Sequence, residues 1–425
     1  MNIPEDFLHY LWKYALYETD ELLIDSGESI RVLNAGQHNK DAGPDFLNAK
    51  IQIGEQIWAG NIEIHRKASD WQKHGHHKDK AYNNVILHVT TDSDAETHTE
   101  SGRKLAVAEL KFNPKLFNNY KEYLDSSQRP MCRNDLKLID SFTLNNWLEV
   151  LLFERFERKT EDFRRLLNYT DNHWEEAFYV FLASAFGAKV NAAAFELTAK
   201  SLPSIILGKH KNNLFQIEAL LFGQSGLLQS IQPDEDYPAA LKKEYDFLRK
   251  KFKLKPVEGH LWKYLRIRPA NFPDVRIAQF ALLVHRSVHL FSKILEAHNV
   301  KELQCMFDIT LSEYWDTHYR IGKESPRRIK RFGKQAQTSV IINTLIPVLF
   351  FYGKQKALPE YQDRAVEFLE ALPPESNRII RQWKDAGISA KNAAQSQALL
   401  QLHKAYCSPK RCLDCRIGNQ LIINR

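Results

Sequence analysis

The hydrophobic period of this 425-residue chain changes twice, and one type of layer cannot satisfy both changes. Residues 4–17 carry Phe7, Leu8, Leu11, Trp12 and Leu16 at helical spacing, which predicts one amphipathic helix. Short runs with strand character follow at 29–34, 46–53, 56–65, 84–91 and 104–112. Gly54-Glu55 marks a tight hairpin between the second and third runs, and 76–82 reads as a short helix before the fourth. From Phe142 the period becomes helical again, over 148–156, 174–186, 214–228, 277–295, 340–352, 365–372 and 393–406, punctuated by Pro and Gly. The expected fold class is α+β. An α/β domain would occupy residues 1–117, a polar linker with Pro130 residues 118–140, and a mainly α-helical domain residues 141–425.

A chain of this length can bury two cores, and its 44% apolar and 26% charged residues are ordinary globular values. Five cysteines, an odd number, argue against a disulfide scaffold. The net charge of +7 and pI near 8.9 suit a polyanionic partner without requiring one. The apolar run 345–352 is short and holds Pro347, so no membrane span is expected, and MNIPEDFLHY lacks the basic flank and apolar core of a secretory leader. A cytoplasmic protein is the expectation; oligomeric state is left open.

The segment NKDAGPDFLNAKIQIGEQIWAGNIEIHRKASDW, residues 39–71, carries the most chemistry. Gly43-Pro44-Asp45 opens one strand and Glu63-Ile64-His65 ends the next, with Asp45 and Glu63 each nine residues from Gly54. Pairing through that turn brings two carboxylates side by side, where they repel unless a cation or proton lies between them. A hard divalent ion satisfies that requirement.

These residues resemble the PD-(D/E)XK nuclease superfamily. Its motif places Pro-Asp at one strand start and an acid, any residue and Lys on the neighbouring strand, within a core of helix, three strands, helix and strand. Pro44-Asp45 and Glu63-Ile64 match, and His65 stands where the lysine would be. The resemblance implies a restriction-endonuclease-like domain in which Asp45 and Glu63 hold Mg²⁺ or Mn²⁺ and His65, as the third catalytic candidate, orients or activates water. With an ordinary pKa of about 6.5, a histidine suits a base near neutrality. Lys78 or Lys80 offers an alternative. The strings GPDFLNAKI, GNIEIHRKASDW and HGHHKDKAYNNVILHV and the cysteine-rich end resemble, over nearly the whole chain, a bacterial protein family of unknown function.

Asp70, His74, His76, His77, Asp79 and His88 follow closely and could instead belong to a zinc hydrolase, although HEXXH is absent and His74 to His77 also has the character of a solvated turn. Asn39 and Asp41 could support the site or simply form a turn, and Glu5 or Glu18 could add an acid from the first helix.

At the end of the chain His403, Cys407, Cys412 and Cys415 are spaced to converge on one ion. Zinc would take His403 as fourth ligand. Cys132 would instead complete four thiolates, suited to zinc or a [4Fe–4S] cluster, and would staple linker to terminus. Some superfamily nucleases resemble this, with one distant cysteine and three near the C-terminus holding an iron–sulfur cluster. Cys305, beside Met306 and Phe307, reads as a buried core thiol.

Arg266, Arg268 and Arg276 surround the 269–273 break, and Arg327, Arg328, Lys330 and Arg331 form a second basic run; both suit phosphate, and both are also ordinary solvated or capping residues. The expected function is a metal-dependent nuclease acting on DNA or RNA. The rivals are a non-catalytic nucleic-acid-binding or scaffold protein and a hydrolase of another phosphoester.

Overall fold

The computed structural model describes residues 3–18, 22–229, 235–287 and 289–425. It divides into two compact units, Met1–Trp147 with His403–Arg425, and Leu148–Leu402. The division departs from the sequence-based one: the last 23 residues join the first unit, and the expected linker contains ordered helix.

In the first unit, helix α1 (Glu5–Lys13) begins after Pro4, carries Glu5 and Asp6 in its first turn and Lys13 in its last, and so complements the helix dipole. It buries Phe7, Leu8, Leu11 and Trp12. Strands β1 (Ile30–Asn34), β2 (Gln37–His38), β3 (Phe46–Ile53), β4 (Gln56–Ile64), β5 (Val85–Thr90) and β6 (Ala106–Glu109) form one mixed sheet of order β1-β3-β4-β5-β6, with β2 paired to β3. The β1, β3 and β4 pairings are antiparallel, whereas β5 runs parallel to both β4 and β6. Every residue of β5 is buried, as a strand covered on both faces requires. The β4–β5 crossover holds the short helix α2 (Asp70–Lys73) and two 3₁₀ turns, His76–Lys78 and Lys80–Tyr82, where one continuous short helix was expected. Trp71, Tyr82, Val85 and Leu105 form a buried cluster behind it.

The β3–β4 hairpin pairs Ile53 with Gln56 and keeps that register to Ala49 and Gly60. Continued unchanged, it would set Asp45 opposite Ile64. A bulge intervenes at Asn48, whose φ is +57° and whose backbone N–H donates to the Asn61 side chain at 3.2 Å. Pairing resumes at Phe46 and Ile62, which carries Asp45 to the level of Glu63.

Helix α3 (Pro114–Asp125) is capped by Asn113, and its Asn119 amide donates to the Ile422 carbonyl of the C-terminal helix Arg416–Asn424 at 3.1 Å. That helix begins beside Cys412: a Cβ on Gly418 would lie 2.3 Å from the Cys412 carbonyl oxygen. Gly418→Ala is expected to cost about 1–3 kcal/mol through overpacking, read as a lower melting temperature; an unchanged melt would mean the Cys412 loop yields freely.

The second unit is mainly helical, with cores around Phe178, Phe222, Leu283 and Ile346. It also contains a small antiparallel ribbon, His318–Arg320 with Lys323–Glu324, in a region expected to be all helix. The helix expected over 277–295 is instead Pro273–Arg286 and Leu290–Glu296, with Val288 outside the described residues. The expectation of no apolar run long enough to cross a membrane is corrected by Lys334–Lys356. Within this helix of 23 residues the most apolar 18-residue window has mean hydropathy 1.4, and 67% of that window is buried. It continues past Pro347 because a π-helical turn, Ile341–Leu345, precedes the proline and accommodates the lost hydrogen bond. Its burial, with Ile341, Leu345, Ile346 and Leu349 fully enclosed, is that of a core helix.

Candidate metal centre

Asp45 and Glu63 meet through each other's strands. The Asp45 backbone N–H donates to Glu63 Oε2 at 3.1 Å, and the Ile64 N–H donates to Asp45 Oδ2 at 2.8 Å. Glu63 is 4% exposed. Burial pushes its carboxyl pKa up and the nearby Asp45 charge adds to that, while His76 opposes both. Two carboxylates in this setting need a proton or a cation. The loop ahead of them is organised by Asn39, whose amide donates to the Pro44 carbonyl at 3.0 Å, so Asn39 positions Pro44-Asp45 from the side.

Four imidazoles, those of His65, His74, His76 and His88, gather beside Glu63. His65 Nε2 lies 3.4 Å from Glu63 Oε1, and His76 Nε2 lies 3.1 Å from the same oxygen. His74 Nδ1 is 3.1 Å from His65 Nε2, and His65 Nδ1 is 2.9 Å from His88 Nε2. The parallel register of β4 and β5 opposes Glu63 to His88 and explains that last contact. His74 caps α2, Gly75 turns the chain at φ +78°, and the 3₁₀ turn then delivers His76, which stacks on Tyr82 with ring centroids 3.9 Å apart. Among the described residues, the ligand atoms of His65, His74 and His76 all lie within 4.8 Å of one another.

His65 is not the near-neutral base that an ordinary histidine pKa suggests. Burial, with His88, His76 and His74 nearby, pushes its pKa down to about 3, and burial with His76 does the same to His88. A neutral imidazole is a weak base and a good ligand. Lys78 and Lys80 are exposed on the crossover. The residue that α1 brings to Asp45 is His9 rather than an acid, with Nε2 3.3 Å from Asp45 Oδ2. Burial acts to lower the His9 pKa, but Asp45, Asp6 and Glu5 outweigh it and leave it raised.

His9 also lines a cleft of about 660 Å³ walled by Lys13, Lys40, Lys410, Arg411 and Tyr14. A second cleft, of about 450 Å³, lies at His74, Arg66 and Asp70. Neither cleft was visible in the sequence, because the first is walled by α1, the 38–41 loop and the C-terminal segment, and the second by residues 3–5, 66, 70 and 74. Only the clustering of histidines within 65–88 signalled the imidazole group.

Cys132, Cys407, Cys412 and Cys415 all belong to the first unit and lie near enough to influence one another's thiols, but among the described residues they do not form a group of ligand atoms within 4.8 Å of one another. The Cys407 thiol is raised by burial and then by Cys415, Cys132 and Cys412; Cys412 is raised to about 12 by burial and Cys415. Cys132 is raised by burial and by Cys415 and Cys412. The staple expected between two domains would be internal to one unit. Cys305, expected to be buried, is exposed.

In the second unit Arg268, Arg328 and Arg331 line one cleft of about 650 Å³, so the two basic runs of the sequence meet. Arg266 and Arg327 are exposed beside that region of the chain, and Arg327 lies 3.6 Å from Asp316. Two of the seven basic candidates are structural. Lys330 is 4% exposed and its Nζ donates to the Asp316 carbonyl at 2.7 Å, while Arg276 donates to Gln279 at 3.1 Å and covers the Phe332 ring.

A family profile described as "Protein of unknown function (DUF2851)" matches residues 5–378, and the chain belongs to that family. No curated protein and no solved structure matches it.

Proposed function

We propose that the first unit is a nuclease-like domain of restriction-endonuclease type, hydrolysing nucleic-acid phosphodiesters with Mg²⁺ or Mn²⁺ held by Asp45 and Glu63. One observation carries the reading: two carboxylates from adjacent strands interlock through backbone N–H groups, in a sheet whose helix, three antiparallel strands, crossover and parallel strand follow the superfamily's order. Such an ion, when bound, lowers the pKa of water and neutralises charge on phosphate. The residues around it have separable tasks. Ile64 N–H holds the Asp45 carboxylate in place, and Asn39 fixes the loop that presents it. Lys13, Lys40, Lys410 and Arg411 supply positive charge along the adjoining cleft, and Tyr14, 42% exposed, offers a base-stacking face. His65, neutral and enclosed, orients rather than accepts a proton.

Cys407, Cys412 and Cys415, with Cys132 or His403 as fourth ligand, would hold zinc, and the four cysteines together a [4Fe–4S] cluster, because buried thiols become thiolates only beside a compensating cation. Arg268, Arg328 and Arg331 suit backbone phosphate.

The deciding experiment is a cleavage assay on plasmid, single-stranded DNA and RNA with Mg²⁺, Mn²⁺ or chelator. Metal-dependent cleavage is expected. Binding without cleavage would assign a scaffold role, and hydrolysis of small phosphoesters alone would assign the other hydrolase class. Replacing Arg268, Arg328 and Arg331 by Ala is expected to lower the salt slope of nucleic-acid binding by roughly three units, one per lost phosphate contact. Lys330→Ala should leave that slope alone and cost about 1–3 kcal/mol of stability, since it strips the Asp316 carbonyl of its donor. An unchanged slope in the triple variant would remove this surface from the interface.

A further inference from the structure

We propose that His65, His74, His76 and Glu63 form a transition-metal site of the zinc class, distinct from the hard-ion site assigned to Asp45. Ligand atoms of His65, His74 and His76 all lie within 4.8 Å of one another, and Glu63 Oε1 lies beside two of these rings, 3.4 Å from His65 Nε2 and 3.1 Å from His76 Nε2. A tetrahedral ion with bonds of 2.0–2.1 Å sets its ligands about 1.6 bond lengths apart, roughly 3.3 Å. Three of the six edges of such a tetrahedron measure 3.1, 3.4 and 3.1 Å here, and the three imidazole ligand atoms all lie within 4.8 Å of one another. Three imidazoles and one carboxylate select Zn²⁺, Co²⁺ or a similar borderline ion over Mg²⁺, which prefers oxygen and water.

The surroundings are those of a supported site. His65 can donate Nδ1–H to His88 Nε2 at 2.9 Å, which leaves Nε2 as the ligand nitrogen. Trp71 packs against His76 and His88 with ring centroids 5.4 and 5.2 Å away, and Tyr82 stacks on His76, so two of the rings are fixed. His74 is exposed at the cleft shared with Arg66, which gives the ion a route from solvent. Glu63 Oε2 accepts from Asp45 N–H while Oε1 faces the imidazoles, so the carboxylate is placed to bridge this ion and the one at Asp45. The bridge rests on the proposed nuclease reading; the imidazole site does not.

The test uses full-length protein stripped with chelator and titrated with Zn²⁺ or Co²⁺, read by elemental analysis, by competition with a chromophoric chelator and by the visible bands of tetrahedral Co²⁺. Because His74 is exposed, His74→Ala should fold as wild type. It is expected to lower the bound count by one ion per chain and to weaken that site by more than about 100-fold, beyond the range of an outer-shell change. His88→Gln should weaken it about 10- to 100-fold. His77→Ala is the neighbouring control and should change nothing. The remaining Co²⁺ signal in His74→Ala should be the thiolate charge transfer of the cysteine site. Asp45→Asn should end any Mg²⁺ or Mn²⁺ response and leave the Zn²⁺ affinity within a few-fold, which separates failure of the nuclease reading from failure of this one. An ion count and affinity unchanged by His74→Ala would overturn the proposal, and so would full Zn²⁺ binding by His65→Lys.

Discussion

Asp45→Asn and Glu63→Gln are each expected to reduce metal-dependent cleavage by at least about 10³-fold, because a bound ion supplies several kcal/mol at the transition state and roughly 1.4 kcal/mol is tenfold in rate. Without metal the same variants should melt at equal or higher temperature than wild type. Each amide keeps the oxygen that its backbone donor uses, Ile64 N–H for Asp45 and Asp45 N–H for Glu63, while the enclosed negative charge is removed. The His9 contact to Asp45 and the His76 contact to Glu63 offset part of this gain. A structural ion-pair acid behaves in the opposite way, since its loss strands a buried cation. Melting curves with and without Mg²⁺ or Mn²⁺, beside the cleavage assay, separate the two. Wild type without metal-induced stabilisation, together with destabilised variants, would defeat the Asp45–Glu63 ion site and favour a scaffold.

The antiparallel strands were legible because their signals are local. The run 46–53 matches β3 in full, and the third run overshoots β4 by one residue. The juxtaposition of Asp45 and Glu63 was also anticipated, but by counting from Gly54 without the bulge that produces it. Asn48 adopts a left-handed conformation that asparagine tolerates, and no alternation pattern announces it. Strand β2 is two residues long and carries no period at all. Helix α3 did leave a signal inside the expected linker: Asn113-Pro114 is a helix start, and Phe117, Tyr120 and Tyr123 are spaced to bury one face. The polar residues between them hid it.

The candidate site was less legible than the sheet. His65, His74, His76 and His88 stand in plain view in the sequence, yet their convergence needs the crossover to fold back over β4 and β5, and HEXXH-type spacing does not describe a turn followed by a strand. His9 and the lysine-walled cleft depend on α1, the 38–41 loop and the C-terminal segment coming together, which periodicity along one segment cannot report. The basic runs show the converse. Lys330 and Arg276 have the composition of phosphate contacts, and only their hydrogen bonds reveal them as structural.

Replacing Cys412 or Cys415 by Ser is expected to produce the largest stability change in the chain. Thiols raised by burial and by one another remain protonated in the absence of a cation, so an ion that ionised them would also hold the fold. Structural zinc contributes about 10–16 kcal/mol in small peptides, and even a fraction of that exceeds the roughly 1–3 kcal/mol of an ordinary core substitution. Cys132→Ala should lose the metal equally, whereas His403→Ala should keep it, which decides between the two candidates for fourth ligand. Cys305→Ser, at an exposed position, should be silent. Elemental analysis and the absorption spectrum of anaerobically prepared protein distinguish zinc from iron–sulfur, and protein with neither would end the idea. The consequence reaches the cleft, because Pro409, Lys410, Arg411 and Leu413 lie between the cysteines and form one of its walls. Loss of the metal should therefore weaken nucleic-acid binding and lower its salt slope by roughly two units, even though no cysteine meets the substrate. Metal-free Cys412→Ser that binds with the wild-type slope would show that Lys410 and Arg411 make no phosphate contact.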